Sequence, residues 1–115
     1  MPRHKKPFTH EDVQKPEDLD RLSEDELIEF LAAKRDDKIE IWNHWREQYA
    51  PSRLELQEAD LEELNLKGIN LSSADLEGGF FGGTSFEAGE LSESFFNDSD
   101  FLGANLKNAN LWGRI

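Results

Sequence analysis

The sequence contains no cysteine, which excludes disulfide frameworks, thiolate metal sites and cysteine nucleophiles. No apolar run approaches the roughly 18 residues that a membrane-spanning helix needs. Met1–Pro7 is polar and basic with no apolar stretch behind it, so no secretory signal is visible and a cytoplasmic location is expected. Basic residues are few: 13 Lys and Arg stand against 25 Asp and Glu, for a net charge of −12. That balance argues against direct binding to nucleic acid or to an anionic membrane surface. His4, His10 and His44 have no mutual spacing that makes a metal set. No Lys-Ser or Lys-Thr follows Gly78, Gly79, Gly82 and Gly83 to build a phosphate loop. Adjacent acids such as Glu62 and Glu63 read as a solvated face rather than an acid/base pair. Neither catalysis nor a cofactor or metal is expected.

What remains is a chain of 115 residues, enough for one modest domain. Leu, Ile, Val and Phe make up 29 of them, above the composition of disordered chains. The charge is unevenly spread: residues 54–113 hold 12 acids and only Lys67 and Lys107 as bases, a net of −10.

The same segment changes grammar. Read in fives from Leu54 it runs LELQE, ADLEE, LNLKG, INLSS, ADLEG, GFFGG, TSFEA, GELSE, SFFND, SDFLG, ANLKN, ANLWG. The third place is Leu or Phe in all twelve, from Leu56 to Leu111. The first place is mostly small or aliphatic, and the second favours Asp or Asn. A period of five fits neither a helix nor a flat strand. It fits a shape that turns a corner every five residues, with third-place side chains inside and Asp, Asn, Ser and Gly serving the corners. Four corners close a coil of twenty residues, so 54–113 makes three coils. The predicted interior columns are Leu56/Leu76/Phe96, Leu61/Phe81/Phe101, Leu66/Phe86/Leu106 and Leu71/Leu91/Leu111.

ADLEE, ADLEG, ANLKN and ANLWG resemble the A-(D/N)-L-x-x motif of pentapeptide-repeat proteins. The resemblance implies a mainly β fold, a right-handed four-sided β-helix. It departs from that pattern in GFFGG, TSFEA, GELSE and SFFND.

Ahead of the repeats, residues 1–22 carry three prolines among charges and are expected to form a disordered arm. Residues 23–53 are expected to form a helical cap. Ser23 and Glu26 form a capping box, with Leu22 and Leu27 as its hydrophobic staple. Asp37 and Glu40 repeat the pattern for a second helix, with Trp42, Trp45 and Tyr49 along one side and Pro51 as its stop. Trp42-Asn43-His44-Trp45-Arg46 resembles a W-N-x-W-R segment found before the repeats of some bacterial pentapeptide proteins. Because a solenoid's open apolar end must be covered, Trp42 and Trp45 are assigned to capping it.

Residues twenty apart stack on one face of successive coils. Lys67, Glu87 and Lys107 then make an alternating ladder on the third face, while nine of the twelve acids fall on the first two faces. Among those acids, Phe80, Phe95 and Leu102 should point outward, and an apolar patch of that kind marks a contact site. The expected function is a non-enzymatic protein-interaction module, with Phe80, Phe95, Leu102, Asp60, Asp75 and Asp100 meeting a protein partner. The alternative is DNA mimicry toward a DNA-binding protein such as a topoisomerase, which the resemblance to quinolone-resistance pentapeptide proteins implies. Three coils rise about 14 Å, so the acids give roughly one charge per 1.4 Å, close to the about 1.7 Å of B-DNA. That length spans only some four base pairs, so mimicry would need a dimer. A homodimer through the last coil is expected, with Leu111, Trp112 and Ile115 at the contact.

Overall fold

The computed structural model describes residues 6–49 and 53–113. The first five residues of the arm, Pro51 and Ile115 lie outside the described residues.

From Leu54 onward the chain returns beside itself every twenty residues. Two short parallel strands, β1 (Leu54–Glu55) and β2 (Ala74–Asp75), pair in that register. The second-place residues continue it as single bridges, from Asp60 with Phe80 to Glu90 with Asn110. Third-place N–H groups donate to the next level, as Leu56 does to Asp75 O at 2.8 Å and Leu66 to Ser85 O at 2.9 Å. Second-place N–H groups donate back, as Phe80 does to Ala59 O at 2.8 Å.

Each corner has a defined chemistry. The third-place carbonyl accepts from the N–H of the following first-place residue, as Leu66 O does from Ile69 N at 3.1 Å. The fifth-place residue between them has positive φ in every repeat, from Glu58 to Gly113. A four-residue turn with positive φ at its third residue is type II. Second-place Asp and Asn buttress the same turn by accepting from the N–H two residues on. Asp60 so receives Glu62 N at 3.2 Å, and Asn105 receives Lys107 N at 2.9 Å. The Asp/Asn preference is therefore an Asx-turn requirement.

The third-place side chains fill the interior as expected. Leu56, Leu61, Leu66, Leu71, Leu76, Phe81, Phe86, Leu91 and Phe96 are buried, while Phe101, Leu106 and Leu111 are half-buried. Phe81, Phe86, Phe96 and Phe101 form one aromatic cluster with centroids 5.0 to 6.3 Å apart. One departure from A-(D/N)-L is a matched pair: a Cβ on Gly79 would stand 2.3 Å from the Phe81 ring. First-place hydroxyls facing inward are satisfied too, Thr84 donating to Leu61 O and Ser94 to Leu71 O.

Within residues 6–22 the arm is ordered where it was expected to be disordered. Residues His10–Asp12 and Pro16–Arg21 form 3-10 turns, and Val13 and Leu19 are fully buried in the common core. Arg35 fixes the first of them by donating to His10 O at 2.6 Å and Val13 O at 2.9 Å. Two well-placed apolar residues and one guanidinium outweigh a composition rich in proline and charge.

Helix α1 (Glu24–Ala32) starts on the expected capping box: Glu26 N donates to Ser23 Oγ at 3.2 Å, and Ser23 N to Glu26 Oε1 at 3.0 Å. Its apolar stripe buries Leu27, Phe30 and Leu31. Helix α2 (Lys38–Gln48) begins after Asp37, but no capping box forms there. Arg35 takes the Asp37 carboxylate instead, at 2.7 and 3.0 Å. Tyr49, the C-cap of α2, is exposed, whereas Trp42 and Trp45 are buried.

Helix α2 lies over the first level of the solenoid and supplies bonds that a preceding level would make. Asn43 Oδ1 accepts from Asn70 N at 2.8 Å. In the levels below, the same bond is Glu90 N to Ile69 O and Asn110 N to Gly89 O, also at 2.8 Å. The Trp42 indole N–H donates to Asn70 O at 2.9 Å, where Glu90 O receives Leu71 N one level down. Arg46 donates to Ser72 O, where Ser92 O receives Ser73 N. Three side chains of W-N-x-W-R thus stand in for backbone.

Candidate interaction surface

The second face carries two of the exposed apolar residues, Phe80 and Leu102. Phe80 is 48% exposed and Leu102 is 83% exposed. Phe80 occupies a second place and cannot form the Asx turn, so its ring leaves the corner outward. It bridges to Asp100 in the level below. Leu102 lies one level beneath Gly82, which has no side chain to cover it; Leu102 O accepts from Gly83 N at 2.9 Å. Asp60 and Asp100 are exposed on the same face. Each spends one oxygen on its own turn, Asp100 Oδ1 accepting from Leu102 N at 2.9 Å.

Two expected members of the patch are placed differently. Asp75 is only 7% exposed. Its Oδ2 accepts from Arg53 at 3.0 Å and from Gln57 at 2.9 Å, and its Oδ1 from Glu77 N at 3.1 Å. Phe95 is half-buried with the Arg53 guanidinium 5.5 Å from its ring centroid. Arg53 also reaches Glu55 at 3.3 Å. One cation from just before the repeats therefore engages Asp75, Glu55 and Phe95 on the first face, while Glu58, Glu77 and Asp98 stay exposed there. The sequence offered one signal, a single Arg one residue ahead of twelve base-poor repeats.

The ladder of Lys67, Glu87 and Lys107 makes no ion pair within 4.0 Å; among the described residues the pairs are Arg35–Asp37, Arg53–Glu55 and Arg53–Asp75. Residues on the last level are more open, with Trp112 72% exposed and Leu111 half-buried. Among the described residues no His, Asp and Glu gather into a group that could hold a metal ion. No described helix is long and apolar enough to cross a membrane.

Comparison with known proteins agrees with this geometry. The family described as "Pentapeptide repeats" matches residues 53–88 and 90–113 with eight copies, just over half of the chain. A search of curated proteins gave no match. Among solved structures the chain is similar to HetL, a pentapeptide repeat protein involved in heterocyst differentiation regulation from the cyanobacterium Nostoc sp. strain PCC 7120. That likeness has a TM-score of 0.52 at 30% identity over 64% of this chain, and it spans only 31% of HetL. Twenty-residue stacking, type II corners and the family match lead to one conclusion: the chain belongs to the pentapeptide-repeat family, and its repeats fold as a right-handed, four-sided β-helix.

Proposed function

We propose that the protein is a non-enzymatic interaction module of the cytoplasm whose three coils present the second face to a protein partner. The observation that carries this reading is the pair Phe80 and Leu102, large apolar side chains exposed on adjoining levels beside Asp60 and Asp100. Apolar area ringed by charge is what a protein contact uses, with the ring setting encounter rate and orientation. Phe80→Ser with Leu102→Ser should abolish capture of the partner from a host extract while circular dichroism and melting stay unchanged. Undiminished capture by that double variant would refute the assignment of this face.

The last level is the proposed self-association surface. Half-exposed Phe101, Leu106 and Leu111 together with Trp112 offer apolar area to a second copy. DNA mimicry ranks behind the interaction reading, since three coils span only some four base pairs and Arg53 already pairs with one of the first-face acids, Asp75.

A further inference from the structure

The side chains of α2 bond to Gly68, Asn70 and Ser72. Between that contact and the bend joining α1 to α2, an open groove of about 740 Å³ remains above the third face. Its volume lies within the range of sites that take a drug-sized ligand. Half-exposed Ile39 and Leu64 supply apolar floor. Leu64 is a large residue in a first place where Ala59 and Ile69 are fully buried; here nothing closes over it.

The charge of the groove opposes that of the molecule. In a chain of net −12, it is lined by Lys34, Arg35, Lys38 and Lys67 against Asp36 and Glu63. Arg35 is offset by Asp37. Lys38 has no carboxylate partner among the described residues. The residue is only 8% exposed, and its ammonium donates to the carbonyls of Leu31 at 2.6 Å and Ala33 at 2.9 Å. Burial accordingly lowers its pKa from the ordinary lysine value. Of the two acids, Glu63 has its carboxylate over Gly83, one level down at the same corner. Of the exposed lysines of the groove, Lys34 comes from the helical cap and Lys67 from the solenoid.

We infer that this groove binds an acidic peptide segment, with Lys34 and Lys67 gripping its carboxylates and Ile39 and Leu64 receiving an apolar side chain between them. The charge complementarity selects the ligand: four basic side chains line the groove against Asp36 and Glu63, in a protein of net charge −12. An apolar floor favours a peptide over a small anion. Lys38, held on the carbonyls of Leu31 and Ala33, adds a third basic side chain to the groove wall.

The test uses a fluorescein-labelled peptide of alternating Glu and Leu, with the matching Lys and Leu peptide as control, followed by fluorescence anisotropy on the whole chain. Binding of the acidic peptide alone is expected. Lys34→Glu and Lys67→Glu should each weaken it by about tenfold or more, since each reverses a charge at the opening. Both positions are exposed, so melting temperature should hold, and Leu64→Ala supplies a variant in which charge is kept and the apolar floor is lost. Retained affinity in the two charge-reversal variants would overturn the inference, as would equal binding of the Lys peptide. Displacement of the peptide by millimolar inorganic phosphate as readily as by unlabelled peptide would also overturn it, by showing a simple anion site. Sedimentation showing that the same two variants dissolve a homo-oligomer would assign the groove to a second copy instead and overturn the peptide.

Discussion

Glu63 lies directly over Gly83, its two carboxylate oxygens each 2.6 Å from the point where a Cβ on Gly83 would stand. Both residues hold the fifth place of their repeats, with φ of 60° and 68°. The same stacking recurs with Glu93 over Gly113. A fifth-place glycine thus serves two needs, the left-handed turn and the room for an acid from the level above.

Gly83→Ala is therefore expected to destabilise by about 1–2 kcal/mol from left-handed backbone strain, plus the displacement of Glu63. Shortening the acid, Glu63→Ala, should remove the second part and leave the first. Urea unfolding of the two single variants and the double variant measures the coupling. Strict additivity would show that the two side chains do not compete for this space.

Replacing Asn43 by Ala removes both the acceptor for Asn70 N and the donor to Gly68 O at 2.9 Å. Leaving such groups unpaired costs about 1–3 kcal/mol each where water is excluded. Asn43→Asp keeps the acceptor and should recover part of the loss. An Asn43→Ala protein as stable as the parent in urea would mean that the side chain is not replacing a backbone bond.

Phe80 and Phe81 are neighbours with opposite fates. Phe81→Ala should cost about 3–5 kcal/mol, as for other buried phenylalanines, and more than a shift of one melting probe should report it. Phe80→Ala should stay within about 0.5 kcal/mol. Thermal and chemical unfolding of the pair checks the register, because a one-residue slip would exchange the two results.

Acid should unfold the cap through Asp18 and Asp37. Asp18 is held below the ordinary aspartate pKa chiefly by the N–H of Gln14, at 2.9 Å, and Asp37 chiefly by its bonds to Arg35. In both, the unfolded chain takes up a proton at higher pH than the folded one. Their stabilisation is complete above the ordinary aspartate value of about 3.9 and is lost as pH falls through the lower folded values. Asp37→Asn should flatten the decline seen in urea melts between neutral pH and about pH 3. An unchanged acid slope would remove Asp37 from the account.

The legible part of this fold was whatever repeats or is local. The third-place column from Leu56 to Leu111 fixed both interior and register, and Ser23 with Glu26 marked the start of α1 within four residues of sequence. The second-place Asp and Asn pointed to corners, although the fifth place turned out to hold the positive φ; glycines at 68, 78, 83, 103 and 113 were its signal. The rest depends on side chains meeting across distant segments. Arg53 finds Asp75, 22 residues on, and so takes Asp75 and Phe95 out of the patch. Arg35 reaches back 25 residues to His10 O, ordering an arm whose composition argued for disorder. No local pattern announces either contact.

The bonds from α2 to the first coil span 25 to 28 residues, and each later coil bonds to its predecessor across about twenty. Assembly therefore has a direction. The donors and acceptors that the first coil needs on its upper edge lie earlier in the chain, so they exist before that coil is made. During synthesis the cap and first coil can close once Ser72 has emerged, and every further twenty residues meet a finished edge. The chain that leaves the ribosome adds to a template of its own, and the unpaired edge always faces the part not yet made.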